Sequence, residues 1–204
     1  MRIGLTGGIA SGKSVVGEMF AALGAHVAQA DKMSHELMQP GEPVYSQVVA
    51  KFGKEILNPD ATVNRSRLAE AAFGTPSRIA ELNAIVHPAV IAKQEKWMNE
   101  IEHRNPQSIA IVEAALILEA GMKPHFDKLI VVTCHPEQRI QRWMQRTGAD
   151  YESAKKEVTR RMAAQLPDEE KIKAADYVID NSGSLDTTRR QVEAIFVKLM
   201  GAPF

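Results

Sequence analysis

The amino-acid sequence predicts an α/β fold built on a five-stranded, parallel, doubly wound sheet. Short apolar runs of strand length recur along the 204 residues, and stretches with helical spacing of apolar residues separate them. Unbroken apolar runs are typical of parallel strands that are covered on both faces. Strands that alternate with helices favour a doubly wound arrangement, in which ligands bind beyond the carboxyl ends of the strands.

The first predicted strand, residues 1–6, leads into residues 7–14, which fit the phosphate-binding pattern G-x-x-x-x-G-K-[ST] and open a helical stretch. Its glycines allow backbone N–H groups to converge on phosphate oxygens, and the helix N-terminus adds partial positive charge. We expect Lys13 to contact the β- and γ-phosphates and the Ser14 hydroxyl to bind Mg²⁺. An ordinary strand-to-helix turn is the alternative, but the pattern in this context favours a nucleoside triphosphate site. The nucleotide-binding candidates are Gly8, Ala10, Ser11, Gly12, Lys13, Ser14 and Val15.

Four later apolar runs are predicted strands, at residues 25–30, 108–112, 128–133 and 177–179. Polar residues stand where the predicted strands end. Because ligands of doubly wound sheets bind at those ends, these side chains are candidates for a functional site. They are Thr6, Asp31, Glu113 and Asp180.

Two regions interrupt the alternation. Residues 32–107 contain no convincing strand and predict several helices, with a break at His87 and Pro88 because the residue before proline disfavours helical geometry. Residues 135–175 predict an arginine-rich pair of helices that is broken near Gly148. In phosphoryl-transfer enzymes of this build, such insertions serve as an acceptor-binding region and a closing lid. We therefore predict one domain, 1–204, whose core comprises residues 1–31, 108–134 and 176–204.

The composition argues against several classes of partner. Twenty-five basic residues balance 25 acidic ones, so no overall field attracts nucleic acid or a membrane surface. No apolar run approaches the ~20 residues of a membrane helix, and a motif that starts at residue 7 leaves no room for a signal peptide. The single cysteine, Cys134, suits a reducing compartment. We expect a cytoplasmic protein with no nucleic-acid or membrane partner and no obligate protein partner.

Asp31 follows the second predicted strand, so its carboxylate is expected to project toward the phosphate loop. There it can orient an acceptor hydroxyl and take its proton. A helical pattern also begins at this point, so a helix N-cap is the alternative role. Position alone does not separate the two roles.

Glu113 ends the third predicted strand. A carboxylate at this place commonly organises Mg²⁺ through water in phosphate-loop enzymes. A carboxylate that is favoured by the dipole at the start of a helix is the alternative.

Arg139, Arg142 and Arg146 are spaced i, i+3 and i+7, so they lie on one face of the predicted lid helix. Guanidinium groups hold phosphoryl groups through paired hydrogen bonds, which makes these residues candidate phosphate contacts. The alternative is a solvated face whose arginines pair with Glu137, Asp150 and Glu152.

With these residues in place, the chain resembles the dephospho-coenzyme A kinase family nearly end to end. The family's opening Leu-Thr-Gly-Gly-Ile-Gly-Ser-Gly-Lys-Ser corresponds to residues 5–14, and its Asp-Ala-Asp signature to residues 29–31. The further matches are Pro40-Gly41, Phe52-Gly53, Asn64-Arg65, Leu68, Phe73, Leu82-Asn83, His87-Pro88, Leu116 to Glu119, Gln138, Arg142, Arg146, Gln165, Ala175 to Ile179 and Asn181-Ser182-Gly183.

Three positions depart from the family pattern. Ala10 replaces a glycine of the loop, which is tolerated if its φ is negative and costs affinity if it is not. Gln29 replaces the first aspartate of the signature, which affects the positioning of the acceptor more than the reaction. Ala115 replaces a proline and loosens the chain after the third strand.

The resemblance implies a P-loop kinase core with a helical acceptor-binding insertion and a lid. It implies transfer of phosphate from ATP, with Mg²⁺, to the ribose 3′-hydroxyl of dephospho-coenzyme A, the last step of coenzyme A biosynthesis. Catalytic roles fall to Asp31, Lys13 and Arg142, and acceptor contacts to Asp31, Arg65 and His87. The lid contacts with phosphate are those of Arg139, Arg142 and Arg146.

Two other functions are alternatives when only the residues, and not the resemblance, are considered. A small-acceptor kinase of the nucleoside monophosphate kind would carry the same loop and lid. A nucleotide-dependent switch would carry a guanine-reading Asn-Lys-x-Asp motif, which the sequence does not contain.

Overall fold

The computed structural model, which describes residues 1–73 and 75–201, contains one sheet of five parallel strands. The strands are β1 (Arg2–Gly7), β2 (His26–Gln29), β3 (Ala110–Glu113), β4 (Lys128–Thr133) and β5 (Tyr177–Asp180). Their order in the sheet is β2-β3-β1-β4-β5, and each neighbouring pair is parallel. The predicted α/β class and all five predicted strands are confirmed.

Helices connect and extend the strands. The α-helices are α1 (Lys13–Ala22), α2 (Ala30–Leu37), α3 (Pro43–Phe52), α4 (Arg65–Phe73), α5 (Pro76–Arg104), α6 (Pro136–Thr147), α7 (Tyr151–Ala163), α8 (Asp168–Ala174) and α9 (Leu185–Gly201). Short 3₁₀ helices lie at Lys54–Ile56 and Lys123–His125. No helix among residues 1–73 and 75–201 is long and apolar enough to cross a membrane.

Apolar side chains cover both faces of the sheet. On one face, strand residues such as Ile3 and Leu5 form a buried core with Phe20 of α1 and Ile195 of α9. On the other face, a methyl group on Gly4 would come within 3.0 Å of the Leu129 side chain, so the packing there is also close. Burial on both faces is the physical reason for the apolar runs of the central strands β1, β3 and β4.

The chain divides into two compact units. One comprises Met1–Gln29 and the chain from Met98 onward, and contains the sheet. The other, Ala30–Trp97, is helical apart from the 3₁₀ turn and an isolated bridge between Leu57 and Val63. The absence of a strand from this second unit, as far as its residues are described, agrees with the sequence pattern.

The predicted helix break at His87 and Pro88 is wrong. Both residues lie inside α5, which runs for 29 residues with Pro88 in its interior. Proline removes one backbone donor and disfavours the helix by about 3 kcal/mol. Val86 and Val90 are buried on either side of it, and we attribute the continuity of the helix to this burial.

The region between β4 and β5 contains three helices in place of the predicted two. The break between α6 and α7 falls as expected, with Gly148 in the left-handed conformation at φ +71° and the Asp150 side chain accepting a hydrogen bond from the Ser153 N–H. The additional helix is α8. Acidic residues in its first turn and lysines in its last turn suit the helix dipole, so its sequence did contain a local signal.

Candidate active site

The phosphate loop joins β1 to α1 at the carboxyl edge of the sheet. Gly12 precedes α1 in the left-handed conformation, with φ +95°, and no side chain caps the helix there. The first N–H groups of a helix have no partner within it, and its dipole is positive at this end. A methyl group on Gly12 would overlap the Asn181 amide, so glycine is required both by φ and by space.

Lys13 folds back over the loop. Its Nζ donates hydrogen bonds to the carbonyl oxygens of Gly7 and Gly8, each at 3.0 Å. The ammonium group is therefore held against the backbone of the loop, and its contact with the β- and γ-phosphates stays a prediction.

Arg142 and Asn181 hold the outer side of the loop. Arg142 donates from Nη1 to the carbonyl of Ser11 at 3.0 Å and from Nη2 to the carbonyl of Asn181 at 2.7 Å. The Asn181 Nδ2 donates to the same Ser11 carbonyl at 2.8 Å. Because C=O and N–H point in opposite directions in a trans peptide, the following Gly12 N–H is turned away from these two side chains.

Ser14 and Glu113 meet as a pair. The Ser14 hydroxyl donates to Oε1 of Glu113 at 2.7 Å, whereas the buried Oε2 of Glu113 has no hydrogen-bond partner. The chain leaves Glu113 through turns, so the alternative of a carboxylate at a helix start is wrong. A serine hydroxyl and one carboxylate are the oxygen ligands, direct or through water, that Mg²⁺ uses in phosphate sites. The two residues therefore fit this ion.

The three lid arginines have different surroundings. Arg139 is 1% exposed and pairs with Asp168 of α8, whereas Arg142 binds the loop as described. Arg146 is exposed and stacks on the Trp143 ring, with 4.5 Å from its Cζ to the ring centroid. A contact of any of them with phosphate stays a prediction.

The alternative of a solvated arginine face paired with Glu137, Asp150 and Glu152 does not describe these contacts. The ion pairs of the second lid helix are instead those of Arg160 and Arg161 with Glu157, at 2.8 and 2.6 Å. The Arg160 side chain, with Arg161, lowers the pKa of Glu157 to about 2.

Ala10 lies in the left-handed region, with φ +53°. This is the unfavourable case for an alanine in place of glycine, because a Cβ in that conformation costs about 1–2 kcal/mol. Its carbonyl faces Cys134, whose Sγ lies 3.8 Å away, and burial raises the pKa of that thiol. The loop thus carries local strain at a position that also accepts a hydrogen bond.

The acceptor-side candidates lie in the unit Ala30–Trp97. Asp31 is exposed in the first turn of α2, directly after β2 in the sequence. It lies inside the helix and not at the residue before it, where an N-cap would stand. Arg65 is exposed at the start of α4, and His87 is half-buried in α5. Their roles stay predictions.

Two residues of this site were not predicted from the sequence. Asn181 was noted only as part of a family match, although it follows a strand end and binds Ser11 across 170 positions. Asp168 was not singled out at all. Its only sequence signal is an acidic residue at the start of a short helix, which says nothing about its partner.

One edge of the sheet carries a glycine-rich loop, a helix N-terminus, a lysine and a Ser–Glu pair. Together with the strand order, these features define a P-loop kinase fold. The comparisons with known proteins agree. The family model described as dephospho-CoA kinase matches residues 1–187. Curated proteins named dephospho-CoA kinase are 40% identical in Aquifex aeolicus, over 99% of both chains, and 39% in Syntrophotalea carbinolica, over 97% of this chain and 92% of the other.

Solved structures extend the likeness to three dimensions. The dephospho-CoA kinase from Campylobacter jejuni superposes with a TM-score of 0.62 at 26% identity, covering 97% of this chain and 96% of the other. The chain belongs to the dephospho-CoA kinase family, and it is a kinase.

Proposed function

We propose that this chain transfers the γ-phosphoryl group of ATP to the ribose 3′-hydroxyl of dephospho-coenzyme A, the reaction of its family. The main structural support for ATP binding is the arrangement of Lys13, the Gly12–α1 junction and the Ser14–Glu113 pair at one edge of the sheet. Membership of the family is the support for dephospho-coenzyme A as the acceptor.

The loop binds the triphosphate through its backbone. The N–H groups at the start of α1 and the helix dipole face the phosphates, and Lys13 exchanges its two carbonyl partners for phosphate oxygens. Arg142 and Asn181 keep the Ser11 carbonyl on the outer side, so the loop is pre-organised before the nucleotide arrives.

Ser14 and Glu113 are the residues that would hold Mg²⁺, and the unpartnered Oε2 of Glu113 supports this assignment. When bound there, the ion would supply positive charge that stabilises the negative charge developing on the phosphates. Asp31 orients the acceptor hydroxyl and takes its proton. Arg65 and His87 contact the acceptor, and Arg142 and Arg146 of α6 contact phosphate.

We also propose a cytoplasmic location, for which the single cysteine of the chain is the support from sequence.

The direct experiment is a coupled ADP-release assay with ATP, Mg²⁺ and dephospho-coenzyme A, run beside a panel of nucleoside monophosphates. We expect dephospho-coenzyme A to be the preferred acceptor, and coenzyme A to be the product. A folded Lys13→Ala variant should lose at least 10²-fold in kcat/KM, the scale for removing one donor that stabilises transition-state charge. Preferred turnover of a monophosphate would refute the acceptor, and near-normal turnover by Lys13→Ala would remove the loop from the mechanism.

A further inference from the structure

The short helix α8 carries two opposite charges on one face. Asp168 and Lys171 are spaced i and i+3, so they are neighbours on the helix surface. Each reaches a charged partner in another part of the chain: Asp168 pairs with Arg139 of α6, and Lys171 with Glu119 of the segment after β3. Isolated helices of seven residues do not persist in water, so α8 depends on such tertiary contacts for its position.

Both pairs involve side chains that are removed from water. Arg139 is 1% exposed and Lys171 is fully buried, whereas their partners Asp168 and Glu119 are 33% and 18% exposed. The Lys171 Nζ lies 3.1 Å from Oε1 of Glu119, and the same oxygen accepts the backbone N–H of Leu166 just ahead of α8. Taking a charge out of water costs several kcal/mol, so removing one partner of either pair would leave an uncompensated buried charge and disturb the position of α8.

Arg139 connects this helix to the phosphate loop. A methyl group on Gly8 would overlap Nη1 of Arg139, so the guanidinium lies directly against the loop backbone. The Nη2 of the same group also lies 3.5 Å from the Cys134 carbonyl at the end of β4. The contacts therefore run from Glu119 through Lys171, α8, Asp168 and Arg139 to Gly8.

We propose that α8 is an anchor for the phosphate loop, and that Asp168 and Lys171 are positioning residues for ATP binding that act through Arg139. In this role the Arg139 guanidinium supports the back of the loop at Gly8, and Asp168 keeps it there by neutralising its charge. Loss of Asp168 leaves a buried cation without its partner. The guanidinium then moves toward solvent, and the loop loses its support. The proposal rests on the proposed function only in taking the loop as the ATP site.

The test measures nucleotide binding and loop order separately from turnover. The dissociation constant for the non-hydrolysable analogue AMP-PNP with Mg²⁺ is determined by calorimetry for the wild type and for Asp168→Asn. Amide hydrogen exchange of residues 8–12 is measured without nucleotide. Asp168→Glu serves as the conservative rescue, and Glu170→Gln as the matched control, since Glu170 lies in the same helix and forms an exposed pair with Lys173.

We expect Asp168→Asn to weaken AMP-PNP binding by about 10- to 100-fold, the scale for losing a supporting partner of a binding group. Exchange of residues 8–12 should become faster in the nucleotide-free protein. Asp168→Glu should restore most of the AMP-PNP affinity and most of the protection from exchange. Glu170→Gln should change neither the affinity nor the exchange. Glu119→Gln, which leaves Lys171 unpaired, should speed exchange at the same amides.

Three outcomes would overturn the proposal. A folded Asp168→Asn variant with wild-type binding and exchange would make the pair purely structural. Tighter AMP-PNP binding would mean that Asp168 holds Arg139 away from phosphate. Weaker binding with unchanged exchange in the nucleotide-free protein would indicate a direct phosphate contact by Arg139.

If Asp168→Asn does not fold, the double variant Arg139→Met with Asp168→Leu removes both charges and leaves no unpaired cation. It should fold and still show faster exchange at residues 8–12, and unchanged exchange in it would also refute the anchor. Failure of the proposed acceptor would appear only in turnover, because AMP-PNP binding and exchange do not involve the acceptor.

Discussion

The Ser14 hydroxyl donates a 2.7 Å hydrogen bond to Oε1 of Glu113, joining the phosphate-loop helix to the end of β3. The two residues are 99 positions apart in the sequence, and both were predicted metal ligands on separate grounds. Their contact brings together one hydroxyl and one carboxylate, which are the kinds of oxygen ligand that Mg²⁺ uses in phosphate sites.

Glu113→Gln should weaken the affinity of the enzyme for Mg²⁺. The substitution keeps the size of the side chain and removes its charge, so the Mg²⁺ concentration for half-maximal activity should rise by about 10- to 100-fold. Steady-state kinetics over a Mg²⁺ series measures this. Glu18→Gln, an exposed position on α1, is the matched control and should behave as wild type. An unchanged Mg²⁺ dependence in Glu113→Gln would assign the carboxylate to structure alone.

Asp31→Asn separates a proton acceptor from a purely structural residue in the first turn of α2. Asparagine keeps the size and some hydrogen bonding but cannot take a proton, so kcat should fall by roughly 10²–10⁴-fold. ATP binding, measured separately by calorimetry, should change little because Lys13 and the loop hold the nucleotide. Asparagine is nearly the same size as aspartate, so a purely structural role in α2 predicts almost no effect on kcat. Retention of more than about a third of the wild-type kcat would refute the catalytic role.

Ala10→Gly should relieve strain in the phosphate loop. Glycine adopts φ +53° without steric cost, so we expect the free energy of unfolding to rise by about 1 kcal/mol and Tm by about 2–4 °C. Nucleotide affinity should stay the same or improve. Calorimetric unfolding and binding measure both quantities.

The control for Ala10→Gly is Ala21→Gly, which makes the same substitution at a helical position in α1. The Ala21→Gly substitution should lower the free energy of unfolding by about 0.5–1 kcal/mol, which is the opposite effect. Destabilisation by both substitutions would contradict the assigned strain at Ala10.

Glu157→Gln should destabilise the protein in a way that depends on pH. Arg160 and Arg161 lower the pKa of Glu157 from 4.5 to about 2. Because the folded-state pKa lies below that of the unfolded chain, the stabilisation is present above about pH 4.5 and is lost as the pH falls through about 2. Exposed ion pairs are weak, so we expect a loss of about 0.5–1 kcal/mol at pH 7.

Urea unfolding of wild type and Glu157→Gln at pH 7, 4.5 and 3 measures the difference between them. That difference should shrink toward acid pH. Glu152→Gln in the first turn of the same helix is exposed and provides the control. A difference that is constant over this range would show that the ion pairs are not its cause.

Much of the fold could be predicted because its signals are local. Each strand spans four to six residues and contains a short apolar run, and the glycine-rich motif marks one strand-to-helix turn. The polar residues at strand ends, Glu113 among them, follow from the rule that parallel strands align their carboxyl ends. The register confirms this, since Glu113 pairs with both Leu5 and Gln29.

The errors arose where a local signal competed with packing. Pro88 indicates a break when only its neighbours in sequence are considered, but the buried residues around it favour a continuous α5. The helix α8 was missed because seven residues carry little periodicity.

By itself, the sequence determined the sheet, the phosphate loop and the identity of the family, because periodicity and glycine spacing are properties of short segments. Only the tertiary structure decided the partners of the charged side chains. Arg139 and Arg142 stand three positions apart on one helix, yet the first is buried against Asp168 and the second binds the Ser11 carbonyl. The energy of a charge depends on its burial and on its partner, and both are set by segments that are distant in sequence.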